Sequence, residues 1–361
     1  MNNMRKNYSQ PRTESVATKP HQTLCGSTGG IRAQISGYKT STSGGFSPTF
    51  IWLACLGMTF LGASCGSNTP DQPKQQAELK PRTLIVTQSD PAGTPVRRIC
   101  NATITEEEED GALNALWSVG DEVSYRNLSY ATYYDDDTKT NKTPEGTLRA
   151  DKAEKIASFT GDRVWCDKTN QIALVYPTVK AFDFHDSPLT ASYTISLAGQ
   201  DGTLATLASK YHHIYGIANV TSVTGTTANA DLAEMKSLLT VCKFSFVDKD
   251  GDTLAIDELT IAYGGTGGLS GTYPQTGTVA IAQNTPTAKV TAEPATPSEA
   301  LTITTSGSPK EVYVALFPEG GPTPYRFTVT NTSGTYTGNA TADLTEGEFV
   351  TAKLQLTKQT N

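Results

Sequence analysis

Apolar and polar positions alternate in short runs along most of this chain, and Gly, Pro, Asn and Asp cut the runs. Residues 83–87 (TLIVT) are a β-branched run between Pro81 and Pro91 and read as a strand. Residues 159–165 and 171–176 (QIALVY) give two more, the second ended by Pro177. Residues 193–197 (YTISL) follow, then a Gly-Gln-Asp-Gly turn, then the run 204–217. Residues 241–247 (VCKFSFV) alternate strictly, as a half-buried strand does when successive side chains point to opposite faces. Asp250-Gly251 is a hairpin turn signal, so residues 255–263 (AIDELTIAY) are the expected partner strand. Further runs fall at 278–282, 301–305, 311–317, 326–330 and 349–356. Residues 231–239 (DLAEMKSLL) carry apolar positions at helical spacing behind an Asp cap and predict one short helix.

Many short strands with few helices predict an all-β protein built of sandwiches. The 361 residues suffice for two such units. The Thr/Gly/Ser/Ala run 221–229 (TSVTGTTAN) is the expected junction. It divides an N-terminal sandwich, 83–222, from a C-terminal one, 223–361.

The N-terminus changes the picture from fold to address. Residues 50–63 (FIWLACLGMTFLGA) carry no charge and no Pro. The run is too short for a resident membrane helix, which takes about 20 residues. It has the length of a signal-peptide core, and Arg5, Lys6, Arg12, Lys19, Arg32 and Lys39 precede it. This n-region is unusually long, which predicts a true start further downstream, although no Met falls between Met4 and Met58. Residues 1–64 therefore read as the signal. The core ends in Leu61-Gly62-Ala63-Ser64-Cys65, small residues before a Cys, which resembles a lipobox. In that reading the signal is cut before Cys65, its thiol is acylated, and the lipid holds the protein at a membrane. The competing reading is an ordinary signal cut near Ala63. Residues 65–82 follow as a polar, turn-rich tether.

Composition narrows the functions. The net charge of −7 argues against nucleic acid, which needs a basic face. Beyond Cys65 the cysteines are Cys100, Cys166 and Cys242, which match no metal spacing. Cys242 reads as a buried free thiol, and a Cys100–Cys166 bridge stays open. Asp248-Lys249-Asp250-Gly251-Asp252 invites a calcium reading, but an EF-hand needs Gly and Glu where Thr253 and Leu259 stand, so a turn explains it better. Asp135-Asp136-Asp137 reads as a solvated loop. His212-His213 would send its rings to opposite faces of a strand and chelate poorly. No Gly-x-Ser-x-Gly elbow and no phosphate-binding loop of the Walker type is present. The expectation is a protein that is not an enzyme and needs no metal or cofactor.

Five segments in order resemble the fimbrillin-like proteins of Bacteroidetes, the major and minor fimbrial subunits. They are Trp117-Ser118-Val119-Gly120-Asp121-Glu122-Val123, Ala173-Leu174-Val175-Tyr176-Pro177, Ile214-Tyr215-Gly216, residues 235–246 (MKSLLTVCKFSF), and the closing 344–356 (LTEGEFVTAKLQL). The resemblance spans most of residues 83–357. It implies two transthyretin-like Greek-key β-sandwich domains in tandem. It also implies export as an outer-membrane lipoprotein exposed at the surface, and assembly with other fimbrial subunits by strand exchange. In polymerising relatives an arginine-specific protease removes the first strand. Arg97 and Arg98 follow the 83–87 strand and would be that cleavage site; Arg82 is a weaker one, since a cut there leaves the strand in place. Only 357–361 follow the last clear strand, which fits a tip or accessory subunit mediating adhesion to a host or bacterial surface ligand. Two other readings stay open: an uncleaved fimbrial anchor, and a glycan-binding surface lipoprotein that never polymerises, with Tyr133 and Tyr134 on its binding face. A secreted hydrolase would need paired carboxylates in a cleft.

Overall fold

The computed structural model describes residues 79–89, 103–106, 113–186, 189–265, 270–285, 288–293 and 299–360. Nearly all of their regular structure is strand, and the fold is all-β. In the strand Lys80–Gln88, Leu84 and Val86 alternate with more exposed neighbours and are fully buried. This strand runs parallel to Thr227–Leu232 on one side and antiparallel to Ser158–Cys166 on the other. Pairing continues through Glu145–Ala150, Glu122–Asn127, Gln171–Tyr176 and Ile214–Thr224. Ile214–Thr224 then pairs back onto Thr227–Leu232, so the strands close into a ring. A register shift between Val220 and Ser222 bends that strand from one neighbour to the other, as an extra residue in a ladder does. Trp117, Val123, Leu148, Phe159 and Leu174 fill the interior with Leu84 and Val86.

The C-terminal half is two sheets face to face. In one, Thr240–Val247 lies between Glu311–Leu316 and Phe349–Gln355. The other runs Leu301–Thr304, Glu258–Tyr263, Thr323–Asn331, Gly334–Ala342 and Thr357–Lys358. Phe244 of the first meets Phe327 of the second edge-on at 5.2 Å. A third sheet joins the halves. Leu189–Ser196 from the first half pairs with Thr276–Ala282 from the second, flanked by Asp183–Asp186 and Lys289–Ala292. Buried Gln200 adds a second tie. Its side-chain amide donates to the Ala315 carbonyl at 3.0 Å and accepts from the Ala315 N–H at 2.7 Å. This seals part of the outer edge of Glu311–Leu316, which would otherwise offer unpaired backbone.

Four expectations meet this structure differently. The runs 159–165 and 171–176 and the alternating run 241–247 are strands. Residues 231–239 are not helical. Ala228, Ala230 and Leu232 alternate into the ring, Met235 joins the same core, and Leu238 and Leu239 enter the neighbouring one. Burial at a strand period overrides the helical spacing. The helical residues described are Leu204–Thr206, capped by the Thr203 hydroxyl, and the wide turn Leu207–Tyr211 that continues it. Asp250-Gly251 does form a turn, with Gly251 at φ 88°. It closes a short hairpin tip, with Val247 bridged to Thr253 and the Leu254 N–H donating to the Phe246 carbonyl at 2.9 Å. Glu258–Tyr263 does not pair with Thr240–Val247, however, because buried Leu254 and Ile256 carry the chain across the sandwich to the opposite sheet. Residues 221–229 fall where Ile214–Thr224 turns, at Gly225, into Thr227–Leu232; the chain leaves the ring after Leu232.

Candidate functional site

The first strand occupies a two-sided slot. Its backbone is matched from Thr83 to Gln88 against Thr227 to Leu232, and from Lys80 to Thr87 against Ser158–Cys166. The Thr83 N–H donates to the Thr226 carbonyl at 2.8 Å, and the Ser89 N–H to the Leu232 carbonyl at 2.9 Å. Opposite Leu84 stands Gly161, where a Cβ would lie 2.4 Å from Leu148 Cδ2 and 3.0 Å from the Thr147 carbonyl. Glycine there lets Ser158–Cys166 pass close to Glu145–Ala150 beside it. Arg82 pins the entry: its Nε donates to the Cys166 carbonyl at 3.0 Å and a terminal nitrogen to the Gly225 carbonyl at 2.5 Å. Asp167 lies 3.9 Å from the same guanidinium, whose side chain is only 11% exposed. An arginine paired and covered in this way is a poor protease target.

The other residues singled out from the sequence fall elsewhere. Cys65, Arg97, Arg98 and Cys100 lie outside the described residues, so the lipid and processing assignments stay proposals. Cys166 and Cys242 are free and buried, and burial pushes the Cys166 thiol up to about 11. Neither is poised as a nucleophile. Asp248 spends its carboxylate on its own turn, accepting the N–H groups of Asp250 at 2.9 Å and Asp252 at 3.0 Å. His212 and His213 are buried just after the wide turn. Burial, then the neighbouring His212, lowers His213 to about 4. Among the described residues no three metal-ligating groups converge, and no helix is long and apolar enough to cross a membrane. Tyr134 is exposed, but Tyr133 is not part of an exposed face: its ring is buried and stacked on Trp165 at 4.0 Å.

The three aspartates after it are each near a cation: Asp135 with Lys142 at 2.5 Å, Asp136 with Lys139 at 3.8 Å, Asp137 with Arg163 at 2.8 Å. The Lys142 hydrogen bond, with help from Thr138 and the Asp137 N–H, holds Asp135 down to about 2. A carboxyl depressed on folding stabilises above its unfolded value of about 4, and that contribution fades as pH falls toward its folded value. Lys142→Met should therefore raise the Asp135 pKa toward the ordinary range, read by NMR titration of the carboxyl carbon. An unmoved value would refute the pair.

Comparison with known proteins places this geometry among others. No protein-family model matches the chain, and no curated protein does. A candidate cell adhesion protein from Bacteroides ovatus is similar in structure over 78% of this chain and 96% of its own, with 14% identity and a TM-score of 0.46. The chain is similar to bacterial cell adhesion proteins and pilins. Another of the first kind, from Bacteroides uniformis, covers 76% of this chain and 100% of its own at 13% identity and TM-score 0.41. A shaft pilin from Lactobacillus rhamnosus GG covers 78% and 99% at 11% identity and TM-score 0.29. The likeness is distant.

Proposed function

We propose that this chain is a surface fimbrial subunit that assembles by β-strand exchange and serves adhesion, and that it is not an enzyme. The observation that carries this is the placement of Lys80–Gln88. The first described strand, joined to the rest through the segment that holds Arg97-Arg98, is clasped on both sides within the ring. Cleavage after Arg97 or Arg98 would sever it from every later strand. Its departure would expose two unpaired edges and the apolar floor beneath Leu84 and Val86, which an extended segment of another subunit can fill. Cys65 would anchor the precursor through acyl chains at the outer membrane and leave with the strand. The ring and the C-terminal pair of sheets would then be the two transthyretin-like units of a fimbrillin-like protein.

N-terminal sequencing and intact mass of protein extracted from the cell surface test this. The expected terminus is Arg98 or Ile99. An acylated Cys65 on an intact chain would instead mark a fimbrial anchor or a non-polymerising lipoprotein, and an unmodified terminus near Ala63 would remove the lipid altogether.

A further inference from the structure

On the outer face of the three-stranded sheet in the C-terminal half lies an open cavity of about 650 Å³. Ser245, Thr253, Lys310, Glu311, Tyr313 and Lys353 line it. Its order follows from strand period and register. Phe244 and Phe246 point into the sandwich, so Lys243 and Ser245 point out. Ser245 stands opposite Glu311 on one side and Lys353 on the other, and Lys243 stands opposite Tyr313. Lys243 is fixed in place: its Nζ is 3.1 Å from Glu311 and 5.6 Å from the centre of the Tyr313 ring, and its side chain is 14% exposed. Lys310 and Lys353 are exposed and make no ion pair with the described residues. Lys310 and Lys353 thus line the cavity together with Glu311, whose carboxylate is paired with Lys243, on a chain whose net charge is −7.

We propose that this cavity binds an acidic saccharide, a uronic-acid type of sugar. The two exposed lysines in its lining supply charge for its carboxylate. The Ser245 and Thr253 hydroxyls both donate and accept, and the Glu311 carboxylate accepts from sugar hydroxyls. The Tyr313 ring offers an apolar wall for the C–H face of a pyranose. A compact phosphate fits less well, because the Glu311 carboxylate shares the lining and repels a dianion more strongly than a monoanion. Such a set, a concave surface with few polar groups converging on one region, is the usual form of a small-ligand site. The site lies on a different sheet from the first strand, so binding does not depend on strand exchange.

The test is calorimetric titration of the uncut, unassembled chain with trigalacturonic acid and, in parallel, with neutral maltotriose. Trigalacturonic acid should bind, and more weakly as salt rises. Lys310→Ala with Lys353→Ala should weaken it roughly tenfold while leaving the melting temperature unchanged, since exposed unpaired lysines contribute little to folding. Lys310→Arg with Lys353→Arg should retain binding. No heat with trigalacturonic acid, equal affinity for maltotriose, or undiminished binding by the double alanine variant would each overturn the assignment. Because the measurement uses the uncut chain, failure here leaves the strand-exchange reading standing, and failure of strand exchange leaves this one standing.

Discussion

Trp117→Ala is expected to cost about 3–5 kcal/mol of folding stability, the usual penalty for emptying a large aromatic site in a closed core. Trp117 is 1% exposed. Its ring meets Phe159 edge-on at 4.9 Å and Tyr176 edge-on at 5.6 Å, so two aromatic contacts go with it. The ring walls are hydrogen-bonded on every side and cannot collapse far into the space left. Trp117→Phe should be much milder. The indole N–H is buried without a partner among the described residues, so phenylalanine removes a donor they leave unsatisfied and keeps most of the apolar volume. Urea unfolding of the two variants reads this directly. Equal losses, or a negligible loss for alanine, would mean that the ring interior is not organised around this side chain.

The Trp-x-x-Gly-Asp segment shows what a sequence reveals locally. Gly120 sits at φ 86°, the Asp121 carboxylate accepts the Ser118 N–H at 2.6 Å, and the Asp121 carbonyl accepts the Ala150 N–H at 2.9 Å. The motif is a turn that drops the tryptophan into the core just before the strand Glu122–Asn127, and each part of it is a short-range preference. The alternation in residues 241–247 was legible for the same reason. Ring closure was not, because it depends on a parallel match between Lys80–Gln88 and a strand more than a hundred residues later. The role of Arg82 was hidden in the same way: its backbone acceptors lie 84 and 143 residues away. The cavity lysines could be found only once the register of Thr240–Val247 with Glu311–Leu316 and Phe349–Gln355 was known. The pairing of Leu189–Ser196 with Thr276–Ala282 is long-range too, and no local signal near either strand marks it.

Removal of the first strand is the second large effect. Leu84 and Val86 are each 0% exposed, and burying two such aliphatic side chains contributes about 3–6 kcal/mol. Its loss also strips hydrogen-bond partners from the facing edges of Thr227–Leu232 and Ser158–Cys166. A chain cut at Arg97-Arg98 should keep its structure while the severed strand stays bound. Once the strand is washed out in mild denaturant, the chain should become markedly less stable and prone to capture extended peptide. Leu84→Asp with Val86→Asp should weaken strand retention without touching the cleavage site, since a carboxylate would be buried where no partner waits.

The most direct measurement is therefore a binding experiment on the cut protein. The chain is cleaved with an arginine-specific protease, the first strand is removed in mild denaturant, and a fluorescent peptide of sequence KPRTLIVTQ is added. Polarisation should show saturable binding to the cut and stripped chain and none to the intact chain. If the peptide does not bind the stripped chain, or binds intact and stripped chains alike, the first strand is not a replaceable element and strand exchange at this slot is wrong.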